Sequence, residues 1–286
     1  MYKRQELGFG YFKTDYNVRC EYKDGKWGEL YATEDVNMNI HMASTCLHYG
    51  QEVFEGLKAF RGADGKVRLF RVEENAKRMI NSGEYLKMAV PSVELFTKAC
   101  IEAVKLNADY IPPYGSGASL YLRPMLIGVG PQVGVKPSAD YLFAVFVTPV
   151  GPYYKDGFNC IKVIIDYDHD RAAPKGTGHV KVGGNYAASL DSGEIAHQKG
   201  FASVIFLDPA TKQYIDECSA ANFFGIRDGK YITPDSHSVL PSITNKSLRQ
   251  IAEDLGLKVE QRKVGVEELP TFSEAGCCGT AAVISP

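Results

Sequence analysis

"HVKVGGNYAASL" runs from His179 to Leu190. It sets Lys181 two residues before the pair Gly183-Gly184, and an Asn-Tyr step then leads into small residues that can open a helix. A lysine amine becomes a covalent catalyst when it condenses with a carbonyl. It must be partly desolvated to lose its proton near neutral pH. Residues without side chains beside it let a flat group approach the backbone. Spacing alone also fits a solvent-facing lysine ahead of a Gly-Gly turn, the commoner use of such a segment, so the decision falls to the rest of the chain.

The chain has 286 residues, 45% of them apolar, which suits one large or two medium folded domains. Its 32 basic and 34 acidic side chains are intermixed, with a net charge of −2. No basic block with interleaved aromatics occurs, so no nucleic-acid partner is expected. The longest apolar runs, such as "YLFAVFV" (141–147), are too short to cross a bilayer, so no membrane partner is expected either. "MYKRQELGFG" lacks the apolar stretch of an export signal, and the reading is cytoplasmic. The seven cysteines are odd in number and lack secreted-type spacing, so reduced thiols are expected. The six histidines form no HExxH, and no Cys/His cluster has zinc-ligand spacing; no metal is expected.

The elements read as mixed α and β. Residues 57–71 read as a hairpin around Asp64-Gly65. Residues 73–88 and 92–106 have helical spacing, the second with Val93, Phe96, Cys100, Ile101 and Val104 on one face. Two strands follow, over 118–130 and 140–151, and the second is apolar enough to be buried on both faces. Residues 148–159 carry Pro and Gly twice each and read as a linker. Beyond it come a strand at 161–168, a helix ending near Gly200, and short strands separated by Asp208-Pro209 and Asp228-Gly229. Residues 241–260 read as a helix then a strand, with Leu248, Ile251, Ala252 and Leu255 as the inner stripe and Gly256 closing the helix.

The common nucleotide loops and the hydrolase elbow are absent. Three segments beside the lysine carry chemistry. "LPSIT" (240–244) precedes a helix, whose N-terminus can bind phosphate, or simply be capped by Ser242 or Thr244. Glu217, at a strand end in "IDECSAAN" (215–222), can keep a pyridinium nitrogen protonated, or be a surface acid. "GTAA" (279–282) offers backbone donors, or a plain turn.

Taken in order, "LHYGQEVFEGLKAFRG" (47–62), "LYLRP" (120–124), "KVGGNY" (181–186), "DECSAANFF" (216–224), "LPSITNKSLRQIA" (240–252) and "CGTAA" (278–282) are similar to the signature segments of branched-chain amino acid aminotransferases. These belong to the fold-type IV class of pyridoxal-phosphate enzymes, and the likeness covers almost everything from about Leu7 onward. It implies a two-domain α/β (α+β) chain, with a smaller N-terminal domain over 1–150 and a larger cofactor-binding domain with a pseudo-barrel sheet over 151–286. The cofactor is expected in the cleft between them.

The resemblance also implies roles. Lys181 is the catalytic residue, binding pyridoxal 5′-phosphate covalently and shuttling a proton between the α-carbon and the cofactor. Tyr186 hydrogen-bonds the phenolic oxygen of the cofactor, and Glu217 pairs with its ring nitrogen. Arg78, the backbone of Ile243 and Thr244, and Thr280 hold the phosphate. Tyr49, Phe54, Tyr121 and Tyr153 shape the side-chain pocket. Arg123 holds the side-chain carboxylate of glutamate or 2-oxoglutarate, and Thr280-Ala281 present N–H groups to the substrate α-carboxylate. Aromatic walls suit a branched aliphatic side chain, and a guarded arginine suits the charged one of the other half-reaction.

The reaction implied is reversible transfer of the amino group between leucine, isoleucine or valine and 2-oxoglutarate, in a homodimer. D-amino-acid aminotransferases and aminodeoxychorismate lyases share the fold, the lysine and the glutamate; "HYGQEVFEG" and "LYLRP" favour the branched-chain reading. An inactive cofactor-binding fragment is the rival from another class. Family members usually carry Gly where Ser242 stands, commonly Arg at Asn245 and Gly at Ser219. They also continue for on the order of fifty residues beyond "VISP", within ordinary domain size, so the chain is expected to be truncated at its C-terminus.

Overall fold

The structure is a computed structural model that describes residues 7–151 and 159–286. These residues form two units. One holds the described residues up to 151 together with Lys181–Gly183; the other holds 159–180 and 184–286. Tyr153 lies outside the described residues.

The first unit is built on an eight-stranded sheet. Its strands are β1 (Asn17–Lys23), β2 (Lys26–Trp27), β3 (Tyr31–Thr33), β4 (Glu52–Phe54), β5 (Leu57–Arg61), β6 (Val67–Leu69), β7 (Ser119–Gly128) and β8 (Tyr141–Val150). The main path runs β2-β1-β8-β7-β5-β6, with β3 beside β1 and β4 beside β7. The hairpin expected at Asp64-Gly65 is β5–β6, with Gly65 at φ 74°, where a side chain would be strained. β8 is buried along almost its whole length, as its unbroken apolar run requires.

Three helices complete this unit: α1 (Thr45–Tyr49), α2 (Val72–Tyr85) and α3 (Val93–Leu106). Ser92 caps α3 by accepting from the Leu95 N–H at 3.1 Å. Helix α3 buries Phe96, Ala99, Cys100, Ala103 and Val104. Phe96 stacks on Phe143 of β8, with centroids 5.8 Å apart. Ile101, expected on that face, is 40% exposed, because Ala99 and Ala103 take the inner positions instead.

The second unit holds β9 (Val163–Asp166), β10 (Ser203–Leu207), β11 (Ile215–Cys218), β12 (Ala221–Arg227), β13 (Lys230–Pro234), β14 (Lys258–Arg262), β15 (Glu274–Gly279) and β16 (Val283–Ser285). Its helices are α4 (Gly183–Ala187), α5 (Leu190–Gln198) and α6 (Ile243–Asp254). Two strand pairs are parallel, β9 with β10 and β13 with β14, and such pairs need a crossover; α5 and α6 supply them. The sheet forks at β12, which takes β15 on one edge and on the other takes β11 at its start and β13 at its end. That fork curls the sheet into a half-barrel around Ile205, Leu207, Ile215, Phe223, Ile232 and Val264.

Two expectations fail here. Helix α6 buries only part of the stripe read from its sequence: Ala252 is buried and Leu248 half-buried, but Ile251 is 50% and Leu255 75% exposed. Its buried residues are Ile243, Asn245, Ser247 and Ala252. The helix faces a polar site inside the unit, where Asn245 donates to Thr233 Oγ1 at 2.8 Å and to Asn222 Oδ1 at 3.1 Å and accepts from the Tyr231 hydroxyl at 2.9 Å. The cysteines are also not all reduced. Cys218 on β11 and Cys277 on β15 form a disulfide with Cα atoms 6.1 Å apart, brought together by the curl of the sheet although 59 residues separate them.

Candidate active site

Strand β4 positions the lysine. Successive residues of a strand point to opposite faces, so Glu52 and Phe54 share one face while Val53 is fully buried on the other. The segment Lys181–Gly183 packs with this unit. The Phe54 N–H donates to the Lys181 carbonyl at 3.2 Å. The Lys181 N–H donates to Ser82 Oγ on α2 at 3.0 Å, and the Gly183 N–H donates to Glu52 Oε1. Lys181 Nζ stands 4.6 Å from the centroid of the Phe54 ring. Arg123 Cζ, on β7, lies 4.8 Å from the same centroid and 5.4 Å from that of Tyr121.

The glycines around these groups have separate uses. A Cβ on Gly183 would overlap the Glu52 carboxylate, whereas one on Gly184 would meet no atom within 4 Å. Only the first glycine of the pair is sterically required, and what it accommodates is a carboxylate. A Cβ on Gly56 would come within 2.9 Å of Tyr121 Cζ, so that glycine lets the phenol lie against the backbone. The Tyr121 hydroxyl accepts from Arg123 Nη2 at 3.2 Å. Arg123 Nε is buried without a hydrogen-bond partner among the described residues, which is the donor an acidic ligand would satisfy.

Arg78, on α2, is held by Glu55: Nε to Oε1 is 2.7 Å and Nη2 to Oε2 is 2.8 Å. Glu55 is fully buried and also accepts from Asn75 Nδ2 at 2.7 Å and the Gly56 N–H at 3.2 Å. This bidentate geometry fixes the guanidinium plane. Tyr49 ends α1, 39% exposed, with its hydroxyl on the Val133 carbonyl. Lys58 is 8% exposed and lies opposite Tyr121 across β5–β7; burial pulls its ammonium down to a pKa of about 8.

In the second unit Glu217 is 3% exposed. It accepts from the Leu240 N–H and, at 3.5 Å, from Asn222 Nδ2, and its Oε2 is 3.4 Å from Arg171 Nε. Arg171 also donates to the carbonyls of Gly178, at 3.1 Å, and Ser238. A buried carboxylate with a guanidinium beside it keeps its charge more readily than one without. Strand register sets Glu217 opposite Asn222 and Asn222 opposite Cys278, two residues short of Thr280. Thr280 and Ala281 form the turn between β15 and β16.

Ile243 and Thr244 are the first two residues of α6, where N–H groups have no partner within the helix. Ser242 caps it by accepting from the Asn245 N–H at 3.1 Å. Tyr186 is half-buried on α4, beside the buried Asn185, whose amide donates to the Thr177 and Val180 carbonyls at 2.7 and 3.0 Å. Ser219 sits at φ 53°, a conformation that favours glycine. Its hydroxyl accepts from the Val204 N–H at 3.1 Å.

A family model described as "Amino-transferase class IV" matches residues 52–286. The chain belongs to the class IV aminotransferases. It is 53% identical to a branched-chain-amino-acid aminotransferase of Haemophilus influenzae, over 98% of this chain and 83% of that one. It is also 53% identical to one of Helicobacter pylori, over 99% and 84%. Among solved structures, a branched-chain amino acid aminotransferase of Escherichia coli superimposes with a TM-score of 0.79 at 29% identity, covering 96% of this chain and 86% of that one. Another, from T.th., is complexed with N-(5′-phosphopyridoxyl)-L-glutamate and superimposes with a TM-score of 0.77 at 27% identity, over 96% and 85%.

Within this class IV aminotransferase, Tyr49, Phe54, Arg78, Tyr121, Arg123 and Lys181 lie in the first unit, where Phe54, Tyr121, Arg123 and Lys181 are in contact. Tyr186, Glu217, Ile243, Thr244, Thr280 and Ala281 lie in the second. Sequence reasoning missed the residues that hold these: Glu52, Glu55, Ser82, Arg171 and Asn222. One signal was available, since "QEVFEG" sets two acids in and just after a short apolar strand, where a buried acid has to be partnered.

Proposed function

We propose that this chain is a branched-chain-amino-acid aminotransferase that uses pyridoxal 5′-phosphate to exchange the amino group between leucine, isoleucine or valine and 2-oxoglutarate. The observation that carries the reading is the pair of cations on Phe54, with Lys181 Nζ at 4.6 Å and Arg123 Cζ at 4.8 Å from one ring centroid. An aromatic wall beside the reacting lysine accepts a branched side chain. The guanidinium on the same ring accepts the side-chain carboxylate of the dicarboxylic partner, so one pocket serves both half-reactions.

The donor set fits the cofactor: a lysine amine, a buried carboxylate beside an arginine, a capped helix N-terminus and a second arginine. When bound, pyridoxal phosphate supplies the electron sink that loosens the α-carbon proton. Lys181 holds the cofactor and moves that proton. Glu217 holds the proton on the ring nitrogen, and Tyr186 donates to the phenolic oxygen. Arg78, the N–H groups of Ile243 and Thr244, and Thr280 bind the phosphate. Thr280-Ala281 bind the substrate α-carboxylate, and Tyr49 and Tyr121 close the pocket with Phe54.

We assign the chain further to a cytoplasmic homodimer with a domain boundary near Val150. Light scattering of the purified protein tests the homodimer. No helix among the described residues is long and apolar enough to cross a membrane. The reaction is tested by adding L-leucine to the cofactor-loaded protein. The visible band is expected to decay with release of one oxo acid per cofactor, and 2-oxoglutarate is expected to restore it. A band that leucine leaves unchanged rejects the assignment.

A further inference from the structure

Three backbone groups fix the lysine segment, and two of their partners lie on β4. The Phe54 N–H takes the Lys181 carbonyl at 3.2 Å, and the Glu52 carboxylate takes the Gly183 N–H. Ser82 Oγ takes the remaining one, the Lys181 N–H, at 3.0 Å. Glu52 and Phe54 are two apart on one strand, so their side chains reach the segment from the same face. The ring supports the amine, and the carboxylate holds the chain two residues on. The fit at Gly183 is tight enough that any Cβ there would collide with the carboxylate.

From this geometry we infer that Glu52 is a positioning residue, whose carboxylate pins the segment Lys181–Gly183 and so sets where the Lys181 amine stands. The inference rests on Lys181 being the residue that holds the cofactor. Glu52 maintains a partly desolvated carboxylate to do this. Burial raises its pKa, while the Gly183 N–H and the nearby Arg123 pull it back down. A side chain that only packed here would be better served by an apolar residue. A pinned amine is worth the desolvation, because misplacing a reacting group by about 1 Å can slow a reaction on the order of 100-fold.

The test uses the cofactor-loaded protein and four variants: Glu52→Ala, Glu52→Gln, Gly183→Ala and the double Glu52→Ala/Gly183→Ala. Each is read by the visible band of lysine-bound cofactor, the single-turnover rate with L-leucine, KM for leucine, and the melting temperature. Glu52→Ala is expected to keep the band and KM while the single-turnover rate falls roughly 10- to 100-fold. Glu52→Gln keeps an acceptor for the Gly183 N–H and is expected to stay within about threefold of the parent rate. Gly183→Ala displaces the same segment, and the double variant is expected to be no slower than the slower single, the non-additive result of two changes at one contact.

A parent-like rate in Glu52→Ala overturns the inference. So do equal losses in Glu52→Ala and Glu52→Gln, or additive losses in the double variant. If Glu52→Ala melts before it can be assayed, the Gln and Gly183→Ala variants decide in the same way. Lys181→Ala, run alongside, separates the two claims: if it retains band and turnover, the assignment of the lysine fails. If it loses both while Glu52→Ala is parent-like, only the role of Glu52 fails.

Discussion

Glu217 and Lys58 are both nearly buried ionisable groups with different surroundings. Glu217 is 3.4 Å from the Arg171 guanidinium and accepts the Leu240 N–H, so its negative charge is compensated. Glu217→Gln keeps the shape and loses the charge. We expect it to retain cofactor while turnover falls about 100-fold or more, in line with the loss of one preorganised electrostatic contact; steady-state kinetics on the loaded variant check this. Lys58, in contrast, is pulled down to about 8 by burial, from 10.5 when exposed. Between those two pH values the unfolded chain binds the extra proton, so this residue makes the unfolding free energy rise with pH across that window. Lys58→Met is expected to flatten that rise, by roughly 3 kcal/mol at most, in urea melts compared at pH 7.5 and pH 10. Lys181 and Glu217 stand out in the sequence through their places in a set of ordered motifs, since a lysine before paired glycines or an acid at a strand end has a commoner structural use on its own. Their holders were not legible, because Ser82 and Arg171 meet their partners only through the fold.

The elements divide in the same way. Hairpin β5–β6, helix α3 and strand β8 follow from local signals: a turn dipeptide, a serine cap and an unbroken apolar run. Helix α6 does not. Its apolar residues Ile251 and Leu255 are exposed, and the buried face carries Asn245 and Ser247. Periodicity reads an inner face only where that face is apolar, and here the helix covers a polar network through Thr233, Tyr231 and Asn222 that ends on Glu217. Asn245→Leu would repair the pattern and break the network, leaving the Tyr231 hydroxyl and Asn222 amide buried with a partner lost. The expected cost is about 1–3 kcal/mol of stability, measured by urea unfolding. A neutral or stabilising result would mean that the polar face is not maintained by its hydrogen bonds.

At the scale of the molecule, one short segment crosses the division that the rest of the chain respects. Lys181–Gly183 packs with the first unit although the residues on either side of it in sequence belong to the second. No local signal marks such a crossing, because strand β4, which receives the segment, lies well over one hundred residues earlier. The overall class was legible because six separated motifs occur in one order, and the comparison with solved structures agrees with it at a TM-score of 0.79. Ligand binding to the folded chain alone raises its stability by mass action. The melting temperature is therefore expected to climb with pyridoxal phosphate concentration and to climb less in Arg78→Met, which loses one of the proposed phosphate contacts.

The central claim is that Lys181, held against Phe54 by the backbone of β4, is the group that carries the cofactor and moves the proton. The most direct measurement is the visible spectrum and leucine single turnover of Lys181→Ala beside the parent, both loaded with pyridoxal phosphate. The account predicts that the band of lysine-bound cofactor disappears and the turnover rate drops by orders of magnitude while the melting temperature of the cofactor-free protein holds. A variant that keeps both the band and the turnover would contradict it.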